Sequence, residues 1–344
     1  MVDVYGTLGP SCSSREVLAD MFRAGMTGIR LNLSHISLRE SERQLEIFHA
    51  AAQEAGVKPL LLVDMQGPEL RIGRLRAPLM LCENETAVLF SENLPEEDRL
   101  LLRREGRTAV SVPDAVCRVI CPGSEILMDD GRLLVRTLET RDGFAEVSIV
   151  RGGMISGRKS IKVIGADIHP PTMTNADLQN IRDASSYGVT GIMQPFVRNR
   201  GDLETVREAL SANNARDLQL VAKIENREGM GQLDSLLPVC DAICIARGDL
   251  GNDMPLWELP EAQKMIAAAC RAAGRYFMVA TQMLSSMEKN AVPTRAELND
   301  IFNTVMDGAS GVMVTGETAV GKYPVDVVRY LANTAVRASL YRQS

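Results

Sequence analysis

Lys223 and Glu225 close the apolar run Leu218–Ile224 two residues apart, so on an extended strand both point to the same face. They can form a buried ion pair of no catalytic value, or act as an electrophile and a metal ligand. The following run ends in Ala246-Arg247-Gly248-Asp249-Leu250-Gly251, where Asp249 lies between glycines that let backbone N–H groups approach a ligand closely. Asp249 with Glu225 makes a carboxylate pair suited to Mg²⁺, a hard cation that prefers oxygen ligands. Near the start, Arg30-Leu31-Asn32-Leu33-Ser34-His35 alternates, with Arg30, Asn32 and Ser34 on one side. A guanidinium beside an amide and a hydroxyl suits a phosphate or oxyanion; the plain alternative is a structural polar layer. Around the turn at Gly67-Pro68, Asp64, Glu69 and Arg71 form either a capping network or a cation site with a second anion-binding arginine. Thr281 follows another apolar run, where threonine often reflects only strand propensity; in this company it becomes a candidate proton relay.

Eight short apolar runs carry these residues: Val2–Leu8, Gly28–Asn32, Leu60–Asp64, Thr190–Gln194, Leu218–Ile224, Ala242–Ala246, Phe277–Thr281 and Val312–Thr315. Each is bounded by Gly, Pro or polar residues, as buried parallel strands should be. Amphipathic stretches lie between them, and Ser13-x-x-Glu16, Ser37-x-x-Glu40 and Thr294-x-x-Glu297 have capping-box spacing. Eight strands alternating with helices predict an α/β fold, a (β/α)8 TIM barrel, whose active site occupies the C-terminal strand ends. One interval breaks the rhythm. Residues 74–164 carry β signals at Leu79–Phe90, Thr108–Val112, Glu125–Met128, Leu133–Leu138 and Ala145–Val150, with hairpin dipeptides Asp130-Gly131 and Asp142-Gly143. The expected organisation is a barrel from 1–73 and 165–344 with an inserted β domain at 74–164. Removing the insert leaves about 250 residues, the usual size of this barrel.

Composition narrows the function classes. The 38 basic and 44 acidic residues give a net charge of −6, which argues against a nucleic-acid binder. Aromatics at 4% leave little for stacking on single strands. The cysteine pairs Cys117/Cys121 and Cys240/Cys244 have three intervening residues and no histidine cluster, so reduced, mostly buried thiols are expected in place of zinc. The N-terminus is too polar for a signal peptide and no run reaches membrane-span length. A cytoplasmic protein without membrane association is expected.

Taken together, the strand ends resemble the pyruvate kinase family. Ala222–Glu225 followed by Cys240–Gly251 resembles its signature segment. Ala280-Thr281-Gln282-Met283-Leu284, Pro293-Thr294-Arg295-Ala296-Glu297, Gly316-Glu317-Thr318-Ala319, Gly6-Thr7-Leu8-Gly9-Pro10 and Gly67-Pro68-Glu69-Leu70-Arg71 continue the likeness in order. The resemblance implies a glycolytic transferase, a kinase moving a phosphoryl group between phosphoenolpyruvate and ADP to give pyruvate and ATP, with Mg²⁺ (or Mn²⁺) and K⁺ as cofactors. It implies that Glu225 and Asp249 hold the divalent metal and that Lys223 and Arg30 neutralise the phosphoryl group in flight. Asn32, Ser34, Asp64 and the Met65 carbonyl would bind K⁺, with Glu69 accompanying that dependence. Gly248 and Asp249 N–H groups would receive the substrate carboxylate, and Thr281 would assist proton transfer to the methylene carbon. The insert becomes a small β-barrel lid in which Asp130 and Lys159 close over the site, with Arg71, His35 and Lys159 near the nucleotide.

The sequence departs from the family pattern at several points. It stops at Ser344, so the family's C-terminal domain and its effector site are expected to be absent. Met65-Gln66 replaces Thr-Lys, Ser160-Ile161-Lys162-Val163-Ile164 replaces Gly-Val-Asn-x-Pro, Ile36 and Pro195 replace glycine and serine, and Asn252-Asp253 replaces Val-Glu. These fall on the lid and nucleotide side, while the phosphoenolpyruvate side is intact. Alternative readings are a phosphoenolpyruvate or pyruvate enzyme with another acceptor or enolate chemistry, and a non-catalytic metabolite-binding paralogue. A homodimer is the expected assembly.

Overall fold

A computed structural model describes residues 2–34, 36–99, 108–129, 131–166 and 168–343. The chain divides into two compact units, one from Met1–Gly67 and Thr172–Ser344, the other Pro68–Pro171. The first unit opens with β1 (Asp3–Thr7), β2 (Gly28–Asn32) and β3 (Leu60–Asp64). The second carries β4 (Leu79–Leu81), β5 (Thr86–Ser91), β6 (Ala109–Val112), β7 (Glu125–Met128), β8 (Leu133–Arg141), β9 (Phe144–Arg151), β10 (Gly153–Ile155) and β11 (Ile161–Val163). The first then resumes with β12 (Gly191–Gln194), β13 (Gln219–Ile224), β14 (Ala242–Ala246), β15 (Tyr276–Ala280) and β16 (Gly311–Met313).

In the first unit eight parallel strands close in the order β1-β16-β15-β14-β13-β12-β3-β2. Apart from β2, whose inward positions are Gly28, Arg30 and Asn32, both faces of the strands are largely apolar, for different reasons. Tyr5, Leu62, Met193, Val221, Cys244, Met278 and Met313 fill the interior, while their neighbours Leu61, Val63, Ile192, Leu220, Ile243, Phe277 and Val312 pack in the layer that includes the helices. This is why the strands read as continuous apolar runs. Gly28 and Gly311 make room for inward tyrosines, since a Cβ there would fall 2.7 Å from Tyr5 Cε1 and 2.4 Å from Tyr276 Oη. Tyr276 Oη donates to Asp3 Oδ2 at 2.9 Å, and burial pushes the Tyr5 phenol up to about 12.

The crossovers are helical: Arg15–Arg23, Glu42–Ala55, Asn175–Asp183, Arg200–Ala212, Leu259–Ala272, Arg295–Met306 and Pro324–Gln343, with only the short Arg227–Gly231 and Leu233–Leu236 after β13. Start signals are met unevenly. Ser14, not Ser13, caps the first helix by accepting from Val17 N. Ser37 and Glu40 bond reciprocally but lead into the 3-10 turn Arg39–Ser41. A further box, Thr174 with Asp177, starts Asn175–Asp183 and escapes a search for glutamate at the third position.

Thr294 and Glu297 form the expected box on Arg295–Met306. Glu297 also accepts from Ser286 N at 2.8 Å and Ser286 Oγ at 2.6 Å. Partial burial works to raise its carboxyl, but the donors from Ser286 and Thr294 outweigh that and hold its pKa below the ordinary glutamate value. A depressed folded-state pKa contributes stability that is complete above the unfolded value, roughly 4.3, and is lost as pH falls through the folded value. Glu297→Gln is therefore expected to lower stability by roughly 1 kcal/mol near neutral pH, with the gap closing in acid. Urea midpoints at about pH 7 and about pH 3 check it; a gap independent of pH would contradict the assignment.

In the second unit, a six-stranded sheet has the order β11-β7-β8-β9-β5-β6, and β4 pairs with β10. Leu79–Phe90, read as one run, breaks into β4 and β5, with Asn84 left-handed at φ 67 between them. Asp142-Gly143 makes its two-residue turn, with Arg141 opposite Phe144 and Gly143 at φ 78. Asp130 of the other hairpin lies outside the described residues. The units part at Pro68 and Pro171, outside the 74 and 164 read from the sequence. At the N-terminal edge the reason is pairing the sequence does not display: Ile72 N donates to Lys159 O at 2.8 Å and Ile161 N to Leu70 O at 2.9 Å, tying residues 70–72 to the sheet.

Candidate active site

The interior changes character along the strands. Two residues beyond the interior positions Tyr5, Leu62 and Val221 stand Thr7, Asp64 and Lys223, and Arg30 follows Gly28 in the same way. Polar groups thus collect at the C-terminal ends of β1, β2, β3 and β13. Asp64 is their hub. Lys223 Nζ donates to both its oxygens, at 3.1 and 3.0 Å. Arg30 meets Oδ2 through Nε at 2.8 Å and Nη2 at 2.7 Å. Lys223 Nζ also stands 2.9 Å from Glu225 Oε1. Side-chain exposure is 2% for Asp64, 1% for Glu225, 12% for Lys223 and 14% for Arg30.

Charge balance makes so dry a cluster tolerable, because a buried ion needs both a counter-ion and hydrogen bonds. Burial works to raise the Asp64 carboxyl, but Lys223 and Arg30 outweigh it and keep the group well ionised. Burial likewise works to lower the Lys223 ammonium; Asp64 and Glu225, with a smaller contribution from Asp249, outweigh it and hold the lysine above its ordinary range.

Glu225 has capacity to spare. Its Oε2 accepts from Phe196 N at 2.7 Å. Its Oε1 is fully buried and makes no hydrogen bond, although Lys223 Nζ stands 2.9 Å away. A buried carboxylate oxygen in that state fits a cation. Among the described residues no group of three or more His, Cys, Asp or Glu could hold a metal. Mg²⁺ commonly takes only one or two protein carboxylates and completes its shell with substrate and water.

Asp249 sits in the single turn Arg247–Leu250 directly after β14. Beside it Gly248 N donates to Thr281 Oγ1 at 2.8 Å, and Thr281 Oγ1 donates to Ala280 O at 2.6 Å. The structure thus joins Arg30, Asp64, Lys223 and Glu225 in one network and Gly248 with Thr281 in another.

Of the expected K⁺ ligands, Asn32 Oδ1 accepts from Ser34 N at 3.1 Å, Met65 N donates to Met193 O at 3.1 Å, and Asp64 serves the two cations. In the second unit Arg71 pairs with Glu69 and donates to Arg158 O at 2.8 Å, and Lys159 Nζ lies 2.7 Å from Asp129 Oδ1. His35 and Asp130 lie outside the described residues. The seven cysteines are free, and Cys12, Cys240, Cys244 and Cys270 are buried while Cys82 and Cys121 are exposed.

Two participants were not assigned roles from the sequence. Glu317 is buried and accepts from Leu284 N at 3.2 Å and Thr315 N at 2.7 Å, bracing the last two strand ends. Arg247 is buried against Thr281 and Asp300. Its one signal in the sequence is an arginine placed directly after five apolar residues.

The family model described as "Pyruvate kinase, barrel domain" matches residues 1–328. The chain belongs to the pyruvate kinase family. It is 35% identical to the pyruvate kinase of Geobacillus stearothermophilus over 335 residues, 96% of this chain and 56% of that protein. To the pyruvate kinase of Chlamydia pneumoniae it is 32% identical over 325 residues, 94% of this chain and 66% of that protein. Among solved structures, a pyruvate kinase from Cryptosporidium parvum superposes with a TM-score of 0.85 at 32% identity, covering 98% of this chain and 69% of that one. The chain thus spans between about half and two thirds of the length of these curated relatives. Membership agrees with the parallel barrel and with the α/β class expected from the sequence.

Proposed function

We propose that this pyruvate kinase family member transfers a phosphoryl group between phosphoenolpyruvate and ADP, giving pyruvate and ATP, with Mg²⁺ (or Mn²⁺) and K⁺. The observation that carries the reading is the Arg30–Asp64–Lys223–Glu225 network at the barrel's C-terminal end. Phosphoryl transfer needs positioning and charge neutralisation more than covalent help. Lys223 and Arg30 supply two positive charges whose places are set in advance by Asp64, so little reorganisation accompanies the reaction. A divalent cation on Glu225 and Asp249 would neutralise phosphate and enolate oxygens. The N–H groups of Gly248 and Asp249 are assigned to the substrate carboxylate. Because Thr281 Oγ1 now accepts the Gly248 bond, it must release that donor when substrate binds, leaving the hydroxyl to relay a proton to the methylene carbon.

Asn32, Ser34, Asp64 and the Met65 carbonyl are proposed for K⁺, and Arg71 and Lys159 for the nucleotide. The first unit is assigned the catalytic role and the second that of a lid. No helix among the described residues is long and apolar enough to cross a membrane. Cytoplasmic action as a homodimer belongs to the same proposal and rests on family membership. The test supplies phosphoenolpyruvate, ADP, Mg²⁺ and K⁺ and measures pyruvate and ATP. Formation of both, dependent on each cation, is expected. Metal-dependent binding of phosphoenolpyruvate without turnover would replace ADP by another acceptor. Neither binding nor turnover would leave a non-catalytic protein.

A further inference from the structure

We infer that Arg247 is a positioning residue for Thr281: its guanidinium holds a left-handed two-residue turn that determines where the Thr281 hydroxyl stands. The functional half of this inference rests on the proposed role of Thr281 as proton relay.

Thr281 has φ 72 and Gln282 φ 55, the only consecutive non-glycine pair with positive φ among the described residues. Thr281 is also the only β-branched member of that set. For such a residue this conformation is a real outlier, because the Cβ crowds the backbone. It persists only where surroundings over-determine it. Arg247 supplies the constraint. Its Nε and Nη2 donate to Thr281 O at 3.2 and 2.9 Å, and Nη2 donates also to Gln282 O at 3.1 Å. Its Nη1 meets Asp300 Oδ2 at 2.8 Å and Gln263 Oε1 at 3.4 Å, so the buried cation is paired. A planar fork that reaches two successive carbonyls and a carboxylate at once is a property of guanidinium, not of ammonium.

The turn has a local product. With it in place Thr281 Oγ1 reaches Gly248 N at 2.8 Å, and Gly248 is the residue next to Arg247. One stretch of chain therefore holds the turn from behind and receives its hydroxyl in front.

Arg247→Lys keeps the charge for Asp300 and removes the fork. Its crystal structure is expected to show residues 281 and 282 out of the left-handed region. In the full chain kcat is expected to fall about 10²-fold, the scale of an ångström-size misplacement, with KM for ADP unchanged. Exchange of pyruvate methyl protons with deuterated solvent should fall in parallel. Adding Gln282→Gly, which takes positive φ without a Cβ penalty, should restore much of the exchange; a purely structural arginine would not respond to that change. A left-handed turn retained in Arg247→Lys, or native exchange without the fork, overturns the inference. If the native chain shows neither turnover nor exchange, the proposed function fails, while the backbone at 281 and 282 still decides whether Arg247 holds the turn. Should Arg247→Lys not fold, it is compared in Gln282→Gly and Gln282→Ala backgrounds. Rescue by glycine alone supports the inference, and equal behaviour overturns it.

Discussion

Lys223→Met is expected to lower phosphoenolpyruvate turnover by at least about 10²–10³-fold, the usual cost of removing one preorganised charge-stabilising group. The variant also leaves two buried carboxylates short of a cation. Asp64 keeps Arg30, but Glu225 Oε1 loses the ammonium 2.9 Å away. Breaking such a pair costs roughly 3–5 kcal/mol, so a lower Tm accompanies the lost activity and assays belong well below it. Metal binding separates the two effects. Removing a positive charge 2.9 Å from Glu225 Oε1 should leave Mn²⁺ affinity undiminished, or raise it, in a protein that is folded and inactive. Turnover equal to that of the native chain would end the assignment of Lys223.

For Glu225→Gln the pattern reverses. The amide keeps the shape and can still accept from Phe196 N, which lies 2.7 Å from Oε2, and Lys223 retains both bonds to Asp64. The fold should therefore survive with a smaller loss of stability than Lys223→Met. Mn²⁺ affinity is expected to fall at least on the order of 10–100-fold, a loss seen even when outer partners of a metal site are removed. Turnover should fall by about 10²–10³-fold with it. Electron paramagnetic resonance of free Mn²⁺ reads the binding without any assay of activity. Unchanged affinity would show that the unbonded Oε1 is not a metal ligand. The two variants together thus separate charge neutralisation from metal holding, although their side chains touch.

Much of the barrel is a local matter and was legible. Gly28–Asn32, Leu60–Asp64 and Ala242–Ala246 are strands at the bounds that their apolar runs mark, because a strand buried on both faces is apolar over most of its length. Thr294 and Glu297 cap their helix because a box needs only residues three apart. The same locality explains the errors. Ser13 and Ser14 both offer a hydroxyl, and the backbone turn, not residue type, chose Ser14. The N-terminal edge of the second unit depends on Leu70 meeting Ile161 and Ile72 meeting Lys159, pairings between segments about ninety residues apart.

The site divides along the same line. Sequence alone established which charged and hydroxyl residues stand at strand ends, and that Lys223 and Glu225 share a face. Only the closed barrel decided that Asp64, read as a K⁺ ligand, gathers Arg30 from the adjacent strand and Lys223 from 159 residues away. It also decided that Arg247 holds Thr281 and Asp300. Periodicity and capping act over a turn or a strand and are written in neighbouring residues. An ion pair depends on which strand ends the closing barrel brings together, as Lys223 of β13 meets Asp64 of β3 across β12, and that is known only once the chain has folded.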